Sequence, residues 1–244
     1  MHLATREVET FRKGIAKDEM FPPVLAAFRH QLTWIEKRLE DAVVTSTAMV
    51  YEPASDTLSE AAEAELYEED KNNRSGVFFI QQKPSTDGLL MYQSRFTATE
   101  TGHIKAYELA FYPYDSSVTP DIILSDAEMI ADFAMDDRWI AVCLIGKVLV
   151  LDRATREVKY EIPGKDEKLT FDSPFFMNGK LYFRYSMEQI LSLDLSTGEV
   201  AEVTESRTVT SKIFKSEGYL GFSYMKAVDP ENEGRVEFNI IEEH

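Results

Sequence analysis

The chain has one cysteine in 244 residues, Cys143, and four histidines, His2, His30, His103 and His244. A single thiol makes no internal disulfide, and its neighbours Trp139-Ile140-Ala141-Val142 and Leu144 predict a buried, inert side chain. None of the histidines has a second His, Cys or carboxylate at metal-ligand spacing, so no metal centre is expected. No apolar run reaches the ~18 residues of a membrane-crossing helix, and no charged-then-apolar leader opens the sequence. The expectation is a cytoplasmic protein that does not enter a membrane. Nucleophile elbows, phosphate loops and dinucleotide fingerprints are also absent. Asp229-Pro230-Glu231-Asn232-Glu233-Gly234 has a superficial calcium-loop pattern, but Ile240 stands where a bidentate glutamate is required. The residues point to no catalytic group and no cofactor.

Basic side chains are the next scarcity. Lys and Arg number 26 against 43 Asp and Glu, for a formal net charge of −17. Residues 1–44 hold seven of each sign, so the whole deficit falls on the remainder. Such a surface repels nucleic acid and anionic membrane, keeps a protein soluble and attracts basic proteins.

What is abundant is short strand patterning. Gly146-Lys147-Val148-Leu149-Val150-Leu151-Asp152-Arg153-Ala154-Thr155-Arg156-Glu157-Val158 reads as strand, tight turn and strand. It returns as Gln189-Ile190-Leu191-Ser192-Leu193-Asp194-Leu195-Ser196-Thr197-Gly198-Glu199-Val200, with Asp152 on Asp194 and Thr155 on Thr197 at an offset of 42. Phe133 and Phe175 match at the same offset. A weaker third copy runs through Ile213–Phe222 and Val236–Ile240, and hairpins over 77–112 suit a degenerate fourth. The aspartate can hold backbone N–H groups two residues on, and glycine accepts the positive φ that follows. Arg156 takes that glycine's place in the first copy.

Leu193-Asp194-Leu195-Ser196-Thr197-Gly198-Glu199-Val200 resembles the strand–turn–strand signature of pyrroloquinoline-quinone-type β-propeller repeats. The resemblance implies a propeller-like array of antiparallel sheets, with about four blades over 72–244 or an open variant. The tryptophan that such repeats carry near the turn is missing, and no residues match a quinone site. It therefore implies fold and not activity.

Ahead of the repeats, Leu25, Phe28, Leu32, Ile35, Leu39 and Val43 recur at steps of 3 and 4. That spacing predicts a helix, with Pro22-Pro23 at its first turn and Trp34 off the stripe. A second helix is expected over Asp56–Asp70, opened by a Thr57-to-Glu60 capping box. Residues 3–17 carry a mixed pattern compatible with a further short helix. The domain reading is a helical segment with an acidic linker over 1–71 and a β domain over 72–244, a mainly β protein with a helical N-terminal segment.

Three functional readings follow. In the first, a non-catalytic module captures a basic protein partner, as an immunity or inhibitor protein covers a cationic toxin or enzyme. Glu60, Glu63, Glu65, Glu68, Glu69 and Asp70, with Trp34, are its candidate partner-binding residues. In the second, an enzyme binds a small molecule or sugar at the mouth of the β domain, using Tyr112, Tyr114 and His103. In the third, the Leu25–Val43 stripe assembles a homo-oligomer.

Overall fold

The structure is a computed structural model that describes residues 25–70, 72–115, 117–126, 128–204, 209–216, 218–225 and 236–243. Among the described residues there is no helix, only antiparallel strands and turns. Eight strands hydrogen-bond in chain order: β1 (Ala26–Phe28), β2 (Gln31–Glu40), β3 (Val43–Glu52), β4 (Thr57–Glu68), β5 (Arg74–Pro84), β6 (Gly88–Thr99), β7 (Gly102–Pro113) and β8 (Asp121–Asp126). The chain divides into two compact units, and the division cuts β5, β6 and β7. One unit ends at Gln82 and adds Gln93–Lys105; the other takes Lys83–Tyr92 and everything from Ala106 onward.

The helix expected from Leu25 to Val43 is not formed. Those residues make β1, β2 and the first residue of β3, joined by two-residue turns in which Arg29 and Asp41 take positive φ of 52° and 48°. The physical reason lies in the spacing itself. Ile35 and Leu39 are four apart, which places them together on a helix and equally on one face of a strand. Register decides the matter: Thr33 and Ile35 lie on the face shared with Val50, Ala48, Ser46 and Val44 of β3, all buried. Glu36, Arg38 and Glu40 alternate with them toward solvent. Asp56–Asp70 is likewise not helical but β4, despite its alanines and its capping-box pattern. Leu66 packs with Val44, Phe96 and Phe78, and this tertiary burial outweighs the intrinsic preference of alanine for helix. The mixed stretch at 3–17 lies outside the described residues.

In the second unit the repeats become sheets. β9 (Asp132–Met135), β10 (Trp139–Cys143), β11 (Lys147–Asp152) and β12 (Val158–Pro163) form one. β13 (Phe171–Met177), β14 (Lys180–Tyr185), β15 (Gln189–Asp194) and β16 (Val200–Glu202) form the next. The third contains β17 (Val209–Thr210), β18 (Phe214–Ser216), β19 (Tyr219–Met225) and β20 (Val236–Glu242), with β19 paired to each of the others. The first two sheets face each other through Trp139, Ala141, Cys143 and Val150 on one side and Phe171, Leu181, Phe183 and Leu193 on the other. The second and third meet through Met177, Tyr182 and Ile190 against Ile213, Leu220 and Phe222. Curled antiparallel sheets stacked face to face are the propeller-like architecture that the repeat implied.

The turns follow the chemistry read from the residues. The Asp152 Oδ1 accepts the N–H groups of Ala154 and Thr155 at 2.9 and 3.0 Å. Asp194 Oδ1 does the same for Ser196 and Thr197 at 2.9 and 3.1 Å. Gly198 has φ 80°, and Arg156 takes the equivalent position with φ 64°.

Candidate functional site

The acidic residues of β4 gain their meaning from register. Glu63 is directly opposite Thr47, which is opposite Glu36 on β2; Glu65, Thr45 and Arg38 make the next row. Paired residues project from the same face of a sheet, so these six side chains share one face. In a regular strand Glu60, three residues before Glu63, would point to the other side. Pairing jumps from Ala48–Ala62 to Met49–Glu60, leaving Ala61 as an extra residue. That bulge turns Glu60 onto the same face as Glu63 and Glu65.

The result is a trough of about 210 Å³. Its floor is the short side chains Thr45 and Thr47 of the central strand, and its walls are Glu36, Arg38 and Glu40 on one side and Glu60, Glu63 and Glu65 on the other. Five carboxylates face one guanidinium. Three of these carboxylates accept hydrogen bonds: Thr47 Oγ1 donates to Glu63 Oε2 at 3.5 Å, the Trp34 indole Nε1 donates to Glu36 Oε1 at 3.1 Å, and Tyr67 donates to Glu65. The last of these hydrogen bonds, with the carboxylate's charge, raises the Tyr67 phenol above its ordinary value.

Of the partner-binding candidates, Glu60, Glu63 and Glu65 are gathered here, whereas Glu68, Glu69 and Asp70 are not. Glu68 pairs with Arg74 at 2.5 Å. Asp70 organises the following turn, accepting from the backbone N–H groups of Asn72 and Asn73 at 2.7 and 3.0 Å. Glu69 is exposed at the end of β4, its N–H donated to Asn73. Trp34 is only 2% exposed, and its indole N–H is donated to Glu36. Glu36 and Glu40 were not foreseen, because a helical reading of β2 scatters them away from β4. The signal that identifies them is the polar alternation Glu36, Arg38, Glu40.

The small-molecule candidates are not brought together. His103 is the second residue of β7 and Tyr112 lies near its end, nine residues further on. His103 Nδ1 is 2.7 Å from the Asn72 carbonyl oxygen and its ring meets Phe96 edge-on. Tyr112 and Tyr114 are half-buried, and the Tyr114 N–H donates to the Asp87 carbonyl at 3.0 Å.

A second concentration of charge lies within the sheets of the second unit. Lys83 Nζ donates to Asp132 Oδ1 at 2.6 Å and to the Phe133 carbonyl at 2.5 Å. Asp132 Oδ2 accepts the N–H of Ser173, whose own hydroxyl donates to Asp172. Asp172 is bound twice by Arg184, whose Nη1 continues to the Thr210 carbonyl at 3.1 Å. Ser173 takes φ 53° at the irregularity in β13. Burial pushes the Asp172 carboxyl up, but the hydrogen bonds from Arg184 and Ser173 and the Arg184 charge outweigh it and hold the group below the usual carboxylate range. Every acceptor in this chain is engaged by a protein donor, which makes it a bracing network linking β9, β13, β14 and β17. Among the described residues no cluster of His, Cys, Asp and Glu is placed to hold a metal.

Neither a family model nor a curated protein matches the chain. Among solved structures, BamB from Moraxella catarrhalis superposes with a TM-score of 0.43 at 13% identity, over 79% of this chain and 54% of that one. Sqt1 from Saccharomyces cerevisiae gives 0.39 at 10% identity, over 80% of this chain and 66% of that one. The β-propeller domain of the Trilobed protease from Pyrococcus furiosus, which has an open velcro topology, gives 0.40 at 8% identity, over 92% of this chain and 96% of that one. This chain thus spans about half the length of BamB. BamB and the Trilobed protease domain are β-propellers, and the likeness of these structures to this chain is one of fold alone.

Proposed function

We propose that the trough across β2, β3 and β4 docks a cationic segment of a partner protein. One observation supports this reading above others: five carboxylates from adjacent strands line a single solvent-facing concavity that contains one guanidinium. Along a strand, alternate residues such as Glu63 and Glu65 are about 7 Å apart. An extended segment with Lys or Arg at every second position matches that repeat. The threonine floor leaves room for the aliphatic stems while the charged ends reach the walls. Capture of a cationic toxin or enzyme by an immunity or inhibitor protein is one concrete form of this activity. The net charge of −17 would speed the encounter at low salt.

Titration of the full chain with an alternating Lys-Ser peptide, at several salt concentrations, tests the proposal. Binding should weaken steeply as salt rises, and the double substitution Glu63→Gln/Glu65→Gln should lower affinity about tenfold, as loss of two exposed ion pairs predicts. Glu199→Gln, a change on the turn before β16, should leave it unchanged. Equal binding by all three proteins, or affinity indifferent to salt, rules the trough out.

A further inference from the structure

The last sheet has one face packed and one face bare. Leu220 and Phe222 of β19 point into the cluster shared with the preceding sheet and are 0% and 2% exposed. The alternate residues point the other way. Register sets Val209, Met225 and Val236 in one row across β17, β19 and β20, and Phe214, Gly221 and Ile240 in another. Phe238 lies between them, opposite Ser223. All six large side chains of these rows are exposed, Phe238 at 77% and Ile240 at 68%. The face is built and not frayed: the Phe214 ring lies over Gly221, where an added Cβ would sit 2.1 Å from its Cζ.

The surface differs from the remainder of the molecule in charge. Among the described residues of its rows the one charged side chain is Glu242, at the end of the last row with Ser216 and Tyr219. Two outer strands of the preceding sheets are guarded. β12 carries Lys159, Glu161 and a terminal Pro163, and β16 is three residues long with Glu202. Such features discourage association, and the bare face has almost none of them. A terminal sheet in a stacked array keeps its outer side polar when it is to remain uncovered.

We infer that this face is an isologous interface, covered in solution by the same face of a second copy of this chain. Six side chains of this size and exposure present on the order of 700 Å² of apolar surface, close to the about 800 Å² that each partner contributes to a standard interface. Monomers rarely leave so large an apolar patch uncovered. Two chains of charge −17 repel wherever carboxylate meets carboxylate, and here they can meet without burying one against another. An apolar sheet face can pack on its own two-fold copy, as in sheet-on-sheet packing. The salt response has a definite sign. Salt screens the repulsion between the two acidic bodies, so dimerisation strengthens with salt, opposite to the binding expected at the trough.

Sedimentation velocity of the full chain across micromolar concentrations, at low salt and again at about 0.5 M salt, provides the test. The expected result is a monomer–dimer equilibrium at least tenfold tighter at the higher salt. Phe238→Ser should weaken it at least tenfold with an unchanged circular dichroism spectrum and, at dilutions where both chains are monomeric, an unchanged melting temperature. Val158→Ser, at an exposed position on β12, should leave it intact. A chain that stays monomeric throughout overturns the proposal, and that is also the result if another segment of the chain covers the face. Equal weakening by Val158→Ser overturns it too, by showing general stickiness in place of a defined interface.

Discussion

Arg184 grips Asp172 through two hydrogen bonds, Nε to Oδ1 at 2.8 Å and Nη2 to Oδ2 at 2.5 Å, and the arginine is 6% exposed. The pair joins neighbouring strands β13 and β14, and its third bond, to the Thr210 carbonyl, reaches β17 of the next sheet. Removing one member leaves the other buried without its counter-charge. Arg184→Met should therefore destabilise the chain by about 2–4 kcal/mol, at the lower side of the range for broken buried pairs because Asp172 keeps partial access to solvent. The double substitution Arg184→Met/Asp172→Leu should recover more than half of that loss, since it leaves no orphaned charge. Urea unfolding midpoints of the three proteins decide the matter. A double variant as unstable as Arg184→Met alone would place the loss in packing and not in charge.

The same pair gives a pH dependence with a fixed sign. Asp172 is held below its usual range in the folded chain, so in acid the unfolded chain takes up its proton first. Its contribution is complete above the ordinary carboxylate range near pH 4 and is lost as pH falls through the lower folded value. Asp194, pulled down to about 2 by its hydrogen bonds from Ser196 and Thr197, follows the same direction further into acid. Wild type should exceed Asp172→Asn in stability at neutral pH, and the gap should shrink steadily on acidification. A gap independent of pH between neutral and pH 2 contradicts the assignment.

The two turns explain why part of this molecule was legible and part was not. Asp152 and Asp194 act on N–H groups two and three residues ahead, so the information is local and survives in the sequence. The 42-residue offset then indicated the first two sheets of the second unit, and the weaker third copy indicated the β18–β19 hairpin and β20. Ile35 and Leu39 carry no such information, because a step of four fits helix and strand alike. What makes β2 a strand is its pairing with Val43–Glu52, a contact between segments that no local pattern encodes. The trough was half visible for the same reason. Glu60, Glu63 and Glu65 stand out as an acidic run, whereas Glu36 and Glu40 join them only through the register of β3, and Glu60 only through the bulge at Ala61.

Two glycines separate backbone strain from crowding. Gly179 and Gly198 have φ of 69° and 80°, so alanine at either position meets the left-handed penalty of about 1 kcal/mol. At Gly179 the added methyl has nothing within 4 Å. At Gly198 it would sit 3.0 Å from Cε1 of Tyr160, whose hydroxyl is tied to the Leu195 carbonyl at 2.9 Å and cannot swing aside freely. Gly198→Ala should thus melt at a lower temperature than Gly179→Ala, by about 3 °C for each extra kcal/mol in a chain of this size. Equal melting temperatures would mean that the Tyr160 ring yields at no cost.

Cys143 offers a reporter of the whole fold. The thiol is fully buried between the first two sheets of the second unit, in the cluster that includes Phe171 and Leu181. Burial raises it well above the ordinary value, and the nearby Asp132 charge adds to that rise. Only the thiolate attacks a disulfide reagent, so the native chain has neither access nor a reactive form at neutral pH. Ellman's reagent should leave the folded protein unlabelled over hours and modify it within seconds in strong denaturant. At intermediate urea the labelling rate should track opening of these sheets and rise in Arg184→Met, whose brace is broken. Rapid labelling of the native protein without denaturant would show that the two sheets part far more readily than their packed faces indicate.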